Sequence, residues 1–424
     1  MAGLEGLRGL AAAAVLLSHV FLYASPDGGR YDLGGFGVLP RMSGTAGVVL
    51  FFTLSGFLLY RPFASAIIGG GPTPRRSRYF RNRLLRIAPG YWFALLGAGL
   101  VLRTTYLPAL EVDGRSLASD PGVLLANLLL LQSYNPSTLV TGIGPSWSLC
   151  VEVVFYLVLP VLAAAAGALA IRTRTGRCRP WLPALSPAVL LVAVWLLGHE
   201  FSQALPEGGG GSWSGSWHAV VARSFLVHAG LFAAGLVLAV VQVQVIGGDL
   251  RLPRWWRLPV AALALTAVPL LLAMDRRWAP EHLLSLALSL SCAMLLALVV
   301  LPQSGRPLLV SVLEVRPLHW AGLVSYGVFL WNEPLVWALQ RAGLTFDGTG
   351  GFVLALLTTG LAAGTVAAVS WLLVEKPCLA LGSARREAHR PGSVVVSEQV
   401  DPDRAVATET PTAPRSTSPR GGAR

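Results

Sequence analysis

Long apolar runs alternate with short polar segments along most of the chain, and this alternation predicts membrane-spanning helices. A spanning helix needs about 20 apolar residues. Ten stretches come close to or exceed this length: 4–23, 44–63, 89–107, 147–170, 183–199, 218–245, 257–274, 282–302, 318–340 and 352–375. A shorter run, Val123–Leu131, lies between Pro121 and Pro136 and predicts a re-entrant or interfacial helix. The predicted fold class is all-α: a polytopic transmembrane helical bundle with about ten spanning helices and one short helix.

Composition agrees with a membrane protein. Of the 424 residues, 54% are hydrophobic and only 13% are charged, which argues against two or three soluble domains. The net charge of +12 is explained by cytoplasmic loops and anionic lipid headgroups, and no aromatic and basic nucleic-acid module is visible. The four cysteines lack metal-ligand spacing, so we predict no metal site and no disulfide.

The distribution of arginine predicts the orientation. Sixteen arginines lie in the loops after the second, fourth, sixth and eighth runs, against seven in the other loops. Because short cytoplasmic loops carry the Lys/Arg excess, both termini are predicted to be cytoplasmic, with the protein in the inner (cytoplasmic) membrane. Residues 1–381 form the predicted membrane domain. Residues 382–424 are rich in Ser, Thr, Pro and Arg and predict a disordered cytoplasmic tail.

Two ionisable side chains interrupt the first apolar run, Arg8 and His19. Eleven residues of helix return to within about 20° of the same face and rise about 16 Å. Because charged residues at membrane depth are costly, they usually face a protein interior or a wet cavity. We predict that His19 is a buried general base and that Arg8 anchors an anionic ligand. A lone histidine in an apolar helix is also compatible with a hydrogen-bonded core residue.

A second candidate lies in the basic segment before the third run. Arg83 and Arg86 are three residues apart, share a helix face and precede Pro89 at the membrane edge. Guanidinium groups match phosphate oxygens in a bidentate geometry, so this pair is a candidate phosphate site. The alternative is that both arginines only anchor the helix at the cytoplasmic surface.

The fourth run opens with a polar face. Glu152 lies inside apolar sequence and should be paired or protonated there. Ser148 and Tyr156 follow the same helix face, and Trp147 begins the segment. We predict that these three residues contact substrate and that Glu152 orients His19 or the acceptor hydroxyl. A structural pairing of Glu152 with a buried arginine is the alternative.

The ninth run contains Asn332 and Glu333 directly before Pro334. Because proline removes an N–H and opens the helix locally, the two polar side chains are predicted to form part of a substrate pocket wall. An ordinary proline kink satisfied by polar side chains is the alternative.

These motifs, in this order, resemble the integral-membrane acyltransferase-3 family over nearly the whole membrane part. Arg8 and His19 are similar to its Arg-x10-His motif, and Arg83 and Arg86 to its Arg-x-x-Arg motif. Glu152 falls at the first acidic position of the family's Trp-Ser-Leu-x-Val-Glu-x-x-Phe-Tyr segment.

The chain departs from that family pattern at two positions. Asn332 stands where many members have His, and Val153 where a second Glu is common. A role for a second histidine is therefore not expected here.

The resemblance implies an O-acyltransferase. Acyl-CoA, with acetyl-CoA expected, would serve as cytoplasmic co-substrate, with no permanently bound cofactor. The acceptor would be a hydroxyl of a cell-envelope glycan, a glycolipid or a macrolide-like molecule, and membrane lipids would surround the bundle. Composition alone also fits a transporter or flippase, although no internal inverted repeat is visible in the sequence.

Overall fold

The computed structural model describes residues 1–105, 117, 119–173, 181–206, 214–253, 255–273, 281–302 and 307–387. Within these ranges the chain is helical and contains no strand of a β-sheet. The predicted disordered tail lies, beyond residue 387, outside the described residues and stays a prediction. The body considered below is Met1–Gly382.

Fifteen α-helices occur in the described residues. They are α1 Leu4–Tyr23, α2 Val38–Gly69, α3 Arg76–Leu96, α4 Pro121–Leu128, α5 Trp147–Thr173, α6 Trp181–Ala204, α7 Trp217–Ala222, α8 Ala229–Gly247, α9 Arg257–Ala273, α10 Glu281–Val300, α11 Leu308–Leu313, α12 Arg316–Leu323, α13 Ser325–Arg341, α14 Gly348–Ser370 and α15 Lys376–Glu387.

Eight of the described helices are long and apolar enough to cross a membrane. The predicted all-α polytopic bundle is therefore confirmed. Helices α9 and α13 correspond to two further predicted runs, but each has only 17 residues within the described ranges. Every one of the ten predicted runs contains a helix, but only eight of these helices are long enough within the described residues to span a membrane.

Two predicted spans are interrupted. The run 218–245 divides into α7 and α8, and the run 318–340 divides into α12 and α13. The predicted short helix is present as α4, which begins at Pro121 and is capped by the Asp120 side chain. Tyr91 and Trp92 of α3 donate hydrogen bonds to the carbonyls of residues 127 and 128 at the end of α4, so this short helix is fastened to α3.

Helix α1 lies at the centre of the bundle and packs against α2, α12, α13 and α14. Glycine permits these close approaches. A Cβ at Gly6 would lie 2.2 Å from the Leu313 carbonyl oxygen, and one at Gly322 would lie 2.0 Å from the Glu5 carbonyl oxygen. Small residues at helix crossings let backbones approach closely in membrane bundles. The backbone of α1 is consequently fixed against α12, which positions the side chains along its length.

Helix α13 is a core helix. Its residues from Ser325 to Trp337 are almost all buried, including the polar Asn332 and Glu333 at 0% and 4% exposure. It packs against α1, α14 and α3. The polar pair before Pro334 therefore faces protein, and α1 is the neighbour that carries His19.

Candidate functional site

The helix contact between α1 and α13 brings His19 beside Asn332 and Glu333. His19 Nδ1 forms a hydrogen bond with Asn332 Oδ1, and it lies 3.8 Å from Glu333 Oε2. The His19 side chain is 18% exposed, so the ring is largely but not completely enclosed. Three polar side chains, predicted from two motifs that are far apart in the sequence, thus meet at one point in the bundle.

The asparagine determines which ring nitrogen of a neutral His19 carries the proton. Asn332 Nδ2 donates to the carbonyls of Val328 and Phe329, at 3.0 and 2.7 Å, so its Oδ1 is the atom that faces the ring. A carbonyl oxygen can only accept a hydrogen bond, so Nδ1 must donate. In the neutral ring Nε2 then holds the free lone pair and can accept a proton.

Glu333 is held against the turn that leads into α5. A Cβ added at Gly144 would lie 2.2 Å from both carboxylate oxygens of Glu333, so only glycine fits there. The carboxylate adds negative charge beside the imidazole. Such a charge stabilises the protonated ring that forms when a histidine takes up a proton.

A second group of predicted residues lines a cavity towards the other end of α1. Arg8, Arg83, Arg86 and Glu152 contribute to its wall, and it contains about 840 Å³ of empty space, part of it open to the outside. This cavity, which we call the arginine cavity, lies at the Arg8 end of the bundle. Its wall combines apolar side chains with a few charged groups, which is typical of small-molecule sites.

The two α3 arginines have unused hydrogen-bonding capacity. Arg83 Nε and Arg86 Nη2 are buried and have no hydrogen-bond partner among the described residues. Arg8 differs, since its Nη1 lies 3.4 Å from Glu5 Oε2 one helical turn earlier. The Arg86 charge also interacts with Glu5 and Glu375. The free N–H groups of Arg83 and Arg86 nevertheless fit an anion with several acceptor oxygens, because a buried donor without a partner is costly.

Glu152 belongs to the arginine cavity. It accepts a hydrogen bond of 2.5 Å from Ser55 of α2, and Tyr156 lies next to it on α5. The Arg83 guanidinium carbon lies 5.9 Å from the centre of the Tyr156 ring. Ser55 thus acts as a donor to this carboxylate.

The carboxylate beside His19 is Glu333. No contact between Glu152 and His19 occurs among the described residues, and Glu152 is instead bound by Ser55. Glu152 lies in the arginine cavity, at the Arg8 end of α1, whereas Glu333 lies at the His19 end. The predicted role of Glu152 in orienting His19 or the acceptor hydroxyl stays a prediction.

The other predicted contact residues divide between two places. Ser148 lines the arginine cavity and donates to the Pro145 carbonyl at 3.0 Å. Trp147 lies on the far side, against His228, with 5.0 Å between ring centres. Trp147 and Ser148 are adjacent in the sequence, yet Trp147 contacts His228 and Ser148 faces the arginine cavity.

One buried charge near His19 was not predicted. Arg223, which follows α7, is 4% exposed and interacts electrostatically with Glu333 and Tyr23. The signal was present in the sequence, since Arg223 lies within the apolar stretch 218–245, where an ionisable residue indicates a functional or paired site. Arg223 was missed because the stretch 218–245 was interpreted only as a long apolar run.

Fold and site together define a polytopic membrane protein in which a polar histidine centre stands beside a basic cavity. The chain belongs to the acyltransferase-3 family: the family model described as an acyltransferase domain, Acyl_transf_3, matches residues 1–375. The family resemblance inferred from the motifs and the enzyme class, acyltransferase, are confirmed at this level. A transporter or flippase is correspondingly disfavoured.

Two curated relatives extend the comparison. Acyltransferase MdmB of Streptomyces mycarofaciens is 32% identical over 161 residues, which are 37% of this chain and 38% of that protein. Putative peptidoglycan O-acetyltransferase YrhL of Bacillus subtilis (strain 168) is 25% identical over 350 residues, 79% of this chain and 48% of that protein. The matched region thus spans less than half the length of each relative. No solved structure matches the chain.

Proposed function

We propose that this protein is a membrane-bound O-acyltransferase that moves an acyl group, with acetyl expected, from cytoplasmic acyl-CoA to a hydroxyl of a cell-envelope glycan. In this proposal His19 is the general base. Family membership supports the reaction class, and the geometry around His19 supports the assignment of the base.

The donor would bind in the arginine cavity. Arg83 and Arg86 would pair with the phosphate groups of CoA, with Arg8 near them, and the pantetheine arm would extend towards His19. The unused guanidinium N–H groups in this cavity support the assignment, because phosphate oxygens are their best-matched partners. The arginine-rich loops support a cytoplasmic position for this end of the bundle.

The chemical step is proton transfer coupled to acyl transfer. His19 Nε2 would take the proton of the acceptor hydroxyl as its oxygen bonds to the thioester carbonyl carbon. Collapse of the resulting intermediate breaks the C–S bond, and the imidazolium returns the proton to the departing CoA thiolate. Glu333 would stabilise the imidazolium between these two events.

The proposed acceptor class is supported by the name of one relative. The Bacillus subtilis relative carries peptidoglycan O-acetyltransferase in its name, which favours a glycan hydroxyl. A glycolipid or a macrolide-like molecule is the other acceptor class that the sequence suggests.

One observation carries the proposal: His19 commits Nδ1 to Asn332 and so leaves Nε2 as a proton acceptor, on a helix whose other end reaches the arginine cavity. An ordinary core histidine would not need this pairing with both an asparagine and a glutamate.

The test uses the full chain in lipid nanodiscs with radiolabelled acetyl-CoA. Release of CoA and transfer of label to purified peptidoglycan fragments are measured for the wild type, His19→Ala and the exposed control His319→Ala. We expect His19→Ala to lower transfer by about 10²- to 10⁴-fold, the usual contribution of a general base. His319→Ala should match the wild type.

Wild-type turnover by a folded His19→Ala protein would overturn the assignment of the base. Absence of CoA release and of label transfer in the wild type would overturn the proposed reaction. Folding is checked by size-exclusion elution and melting temperature.

A further inference from the structure

The wall of the arginine cavity is not uniform along α2. Glu152, a charged residue of this wall, accepts a hydrogen bond from Ser55 of α2. Phe51 lines the cavity one turn before Ser55, and Val48 lines it almost one turn earlier still. The cavity therefore has a polar part, which is proposed to hold the CoA phosphates, and an apolar part along the earlier turns of α2.

The register of α2 against α1 shows that the apolar part lies towards His19. A Cβ at Gly44 would lie 2.7 Å from Ser18 Oγ, so this part of α2 lies beside the residue that precedes His19. A Cβ at Gly47 would lie 2.5 Å from the Ala11 carbonyl oxygen, so the two helices run in opposite directions. Earlier turns of α2 are consequently nearer to His19, and later turns are nearer to the start of α1.

A second aromatic residue reaches the same part of the cavity from α13. Phe329 is 6% exposed, lines the cavity and makes an edge-to-face contact with Phe51, with 5.7 Å between ring centres. Its carbonyl accepts the hydrogen bond from Asn332 Nδ2, and Asn332, almost one turn later, contacts His19. Asn332, Glu333 and His19 are not among the described residues that line the cavity. Phe51 and Phe329, which we call the phenylalanine pair, therefore lie between the cavity and the histidine centre.

The position of the phenylalanine pair matters for the acyl group. The thioester carbonyl has to come close to His19 Nε2 for transfer, so an acyl group that arrives from the arginine cavity lies against the two rings. Phe52, the other phenylalanine of the wall, is 2% exposed and stacks on Phe232 of α8, with 4.7 Å between ring centres. Since extra methylene groups are unfavourable where apolar side chains are already packed, two large rings at this point restrict the length of the acyl chain.

We propose that the phenylalanine pair selects short acyl groups, so that the protein uses acetyl-CoA in preference to acyl-CoA with four or more carbons in the acyl chain. This inference rests on the proposed acyl transfer from acyl-CoA and adds the residues that determine chain length.

The test measures release of CoA by the full chain in nanodiscs, with peptidoglycan fragments as acceptor and acetyl-CoA or butyryl-CoA as donor. The quantity compared is kcat/KM for butyryl-CoA divided by kcat/KM for acetyl-CoA, because effects common to both donors cancel in this ratio. The variants are Phe51→Ala, Phe329→Ala and the milder Phe51→Leu. Phe63→Ala is the matched control, since Phe63 is a buried phenylalanine of α2 that packs on Tyr79 and does not line the cavity.

We expect the wild type to have a kcat/KM for butyryl-CoA at least tenfold below that for acetyl-CoA. Phe51→Ala and Phe329→Ala should each raise the ratio tenfold or more, because one methylene in an apolar pocket already changes kcat/KM about 10- to 200-fold. Phe51→Leu should raise the ratio less, and Phe63→Ala should keep the wild-type ratio.

Equal use of the two donors by the wild type, or an unaltered ratio in every folded variant of the pair, would overturn the inference. A rise in Phe63→Ala as large as that in Phe51→Ala would also overturn it, since general loosening of the bundle would then explain the change. Folding is checked by melting temperature.

His19-dependent release of CoA from acetyl-CoA, measured on the same samples, distinguishes this failure from failure of the proposed function. If that release is intact, only the assignment of chain length is wrong. If the wild type releases no CoA from either donor, the proposed function fails and the inference fails with it.

Discussion

At the scale of single residues, the sequence identified the polar residues of the site but not which of them contact one another. Arg8, His19, Asn332 and Glu333 could be singled out because each is a polar side chain inside an apolar run. Which carboxylate stands beside the histidine depends on the depth at which α5 and α13 place their glutamates along α1, and that depth is set by packing. No spacing within one helix contains that information.

Asn332 gives the first prediction. Asn332→Leu removes the carbonyl that accepts from His19 Nδ1, so the ring loses its fixed tautomer and kcat should fall about tenfold or more at similar KM for acetyl-CoA. Asn332→Asp keeps an acceptor at this point and should restore part of the activity. The acidic limb of its pH–rate profile should move to higher pH, because an added carboxylate stabilises the protonated ring.

The measurement is kcat as a function of pH for the wild type and both variants. A purely structural role for Asn332 would lower the melting temperature of the two variants without moving the limb. An unmoved pH profile in a folded Asn332→Asp protein would therefore contradict the tautomer argument.

Arg86 gives the second prediction. Arg86→Ala removes buried N–H groups from the arginine cavity and should raise KM for acetyl-CoA about tenfold, since hydrogen bonds to charged groups contribute about 1.5–3 kcal/mol. Arg86→Lys should recover only part of this affinity, because an ammonium lacks the planar fork. Arg78→Ala, at an exposed position on the same helix, is the control and should leave KM unaltered.

The donor concentration dependence of CoA release provides both KM values. Equal KM for Arg86→Ala and Arg78→Ala would indicate that phosphate recognition lies elsewhere. Measuring affinity for CoA itself, by calorimetry, separates loss of binding from loss of turnover.

At the scale of helices, apolar length predicted where helices lie but not where they cross. Gly56 permits close packing of α2 on α8, since a Cβ there would lie 2.3 Å from the Phe232 carbonyl oxygen. Its counterpart across the crossing, Gly235, has no distinguishing sequence context. The breaks between α7 and α8 and between α12 and α13 were missed because each run was counted as one apolar length, although Arg223 and His228 lie at the first break.

The α2/α8 crossing gives the third prediction. A Cβ at Gly235 would lie 2.1 Å from the Thr53 carbonyl oxygen, so Gly235→Ala must push the two helices apart. Overpacking of this kind costs about 1–3 kcal/mol, and the melting temperature in detergent should drop by several degrees. Gly364→Ala on α14 is the control, since no atom lies within 4 Å of its added Cβ.

Melting is followed by intrinsic tryptophan fluorescence on purified protein. Equal melting temperatures for Gly235→Ala and Gly364→Ala would show that the α2/α8 crossing can relax without cost.

At the scale of the whole molecule, charge and hydropathy together predicted the architecture. The all-α polytopic class follows from apolar runs that are long enough to span, and eight described helices meet that length. The position of the arginine cavity could not be predicted. It depends on how five helices converge, because α1, α2, α3, α5 and α13 all contribute residues to its wall.

Sidedness gives the last prediction. If the arginine-rich loops are cytoplasmic, the arginine cavity opens towards the cytoplasm, where acyl-CoA is found, and the His19 end of α1 lies towards the opposite face. Two exposed arginines report on the two ends: Arg78 precedes the arginine cavity on α3, and Arg30 lies in the segment between α1 and α2. In right-side-out vesicles, Arg30→Cys should react with a membrane-impermeant maleimide, and Arg78→Cys should react only after permeabilisation. Labelling of the parent chain is subtracted, because it has its own cysteines.

The same orientation predicts which face uses the donor. Acetyl-CoA does not cross the bilayer, so added acetyl-CoA should be consumed by inverted vesicles and spared by intact right-side-out vesicles until they are opened. The reverse pattern of labelling and consumption would contradict the predicted orientation, because the arginine-rich loops would then lie on the outer face of the membrane. Labelling as expected, but with consumption from the outer face, would instead leave the orientation intact and remove the arginine cavity as the donor site, because its arginines would then face away from the acyl-CoA.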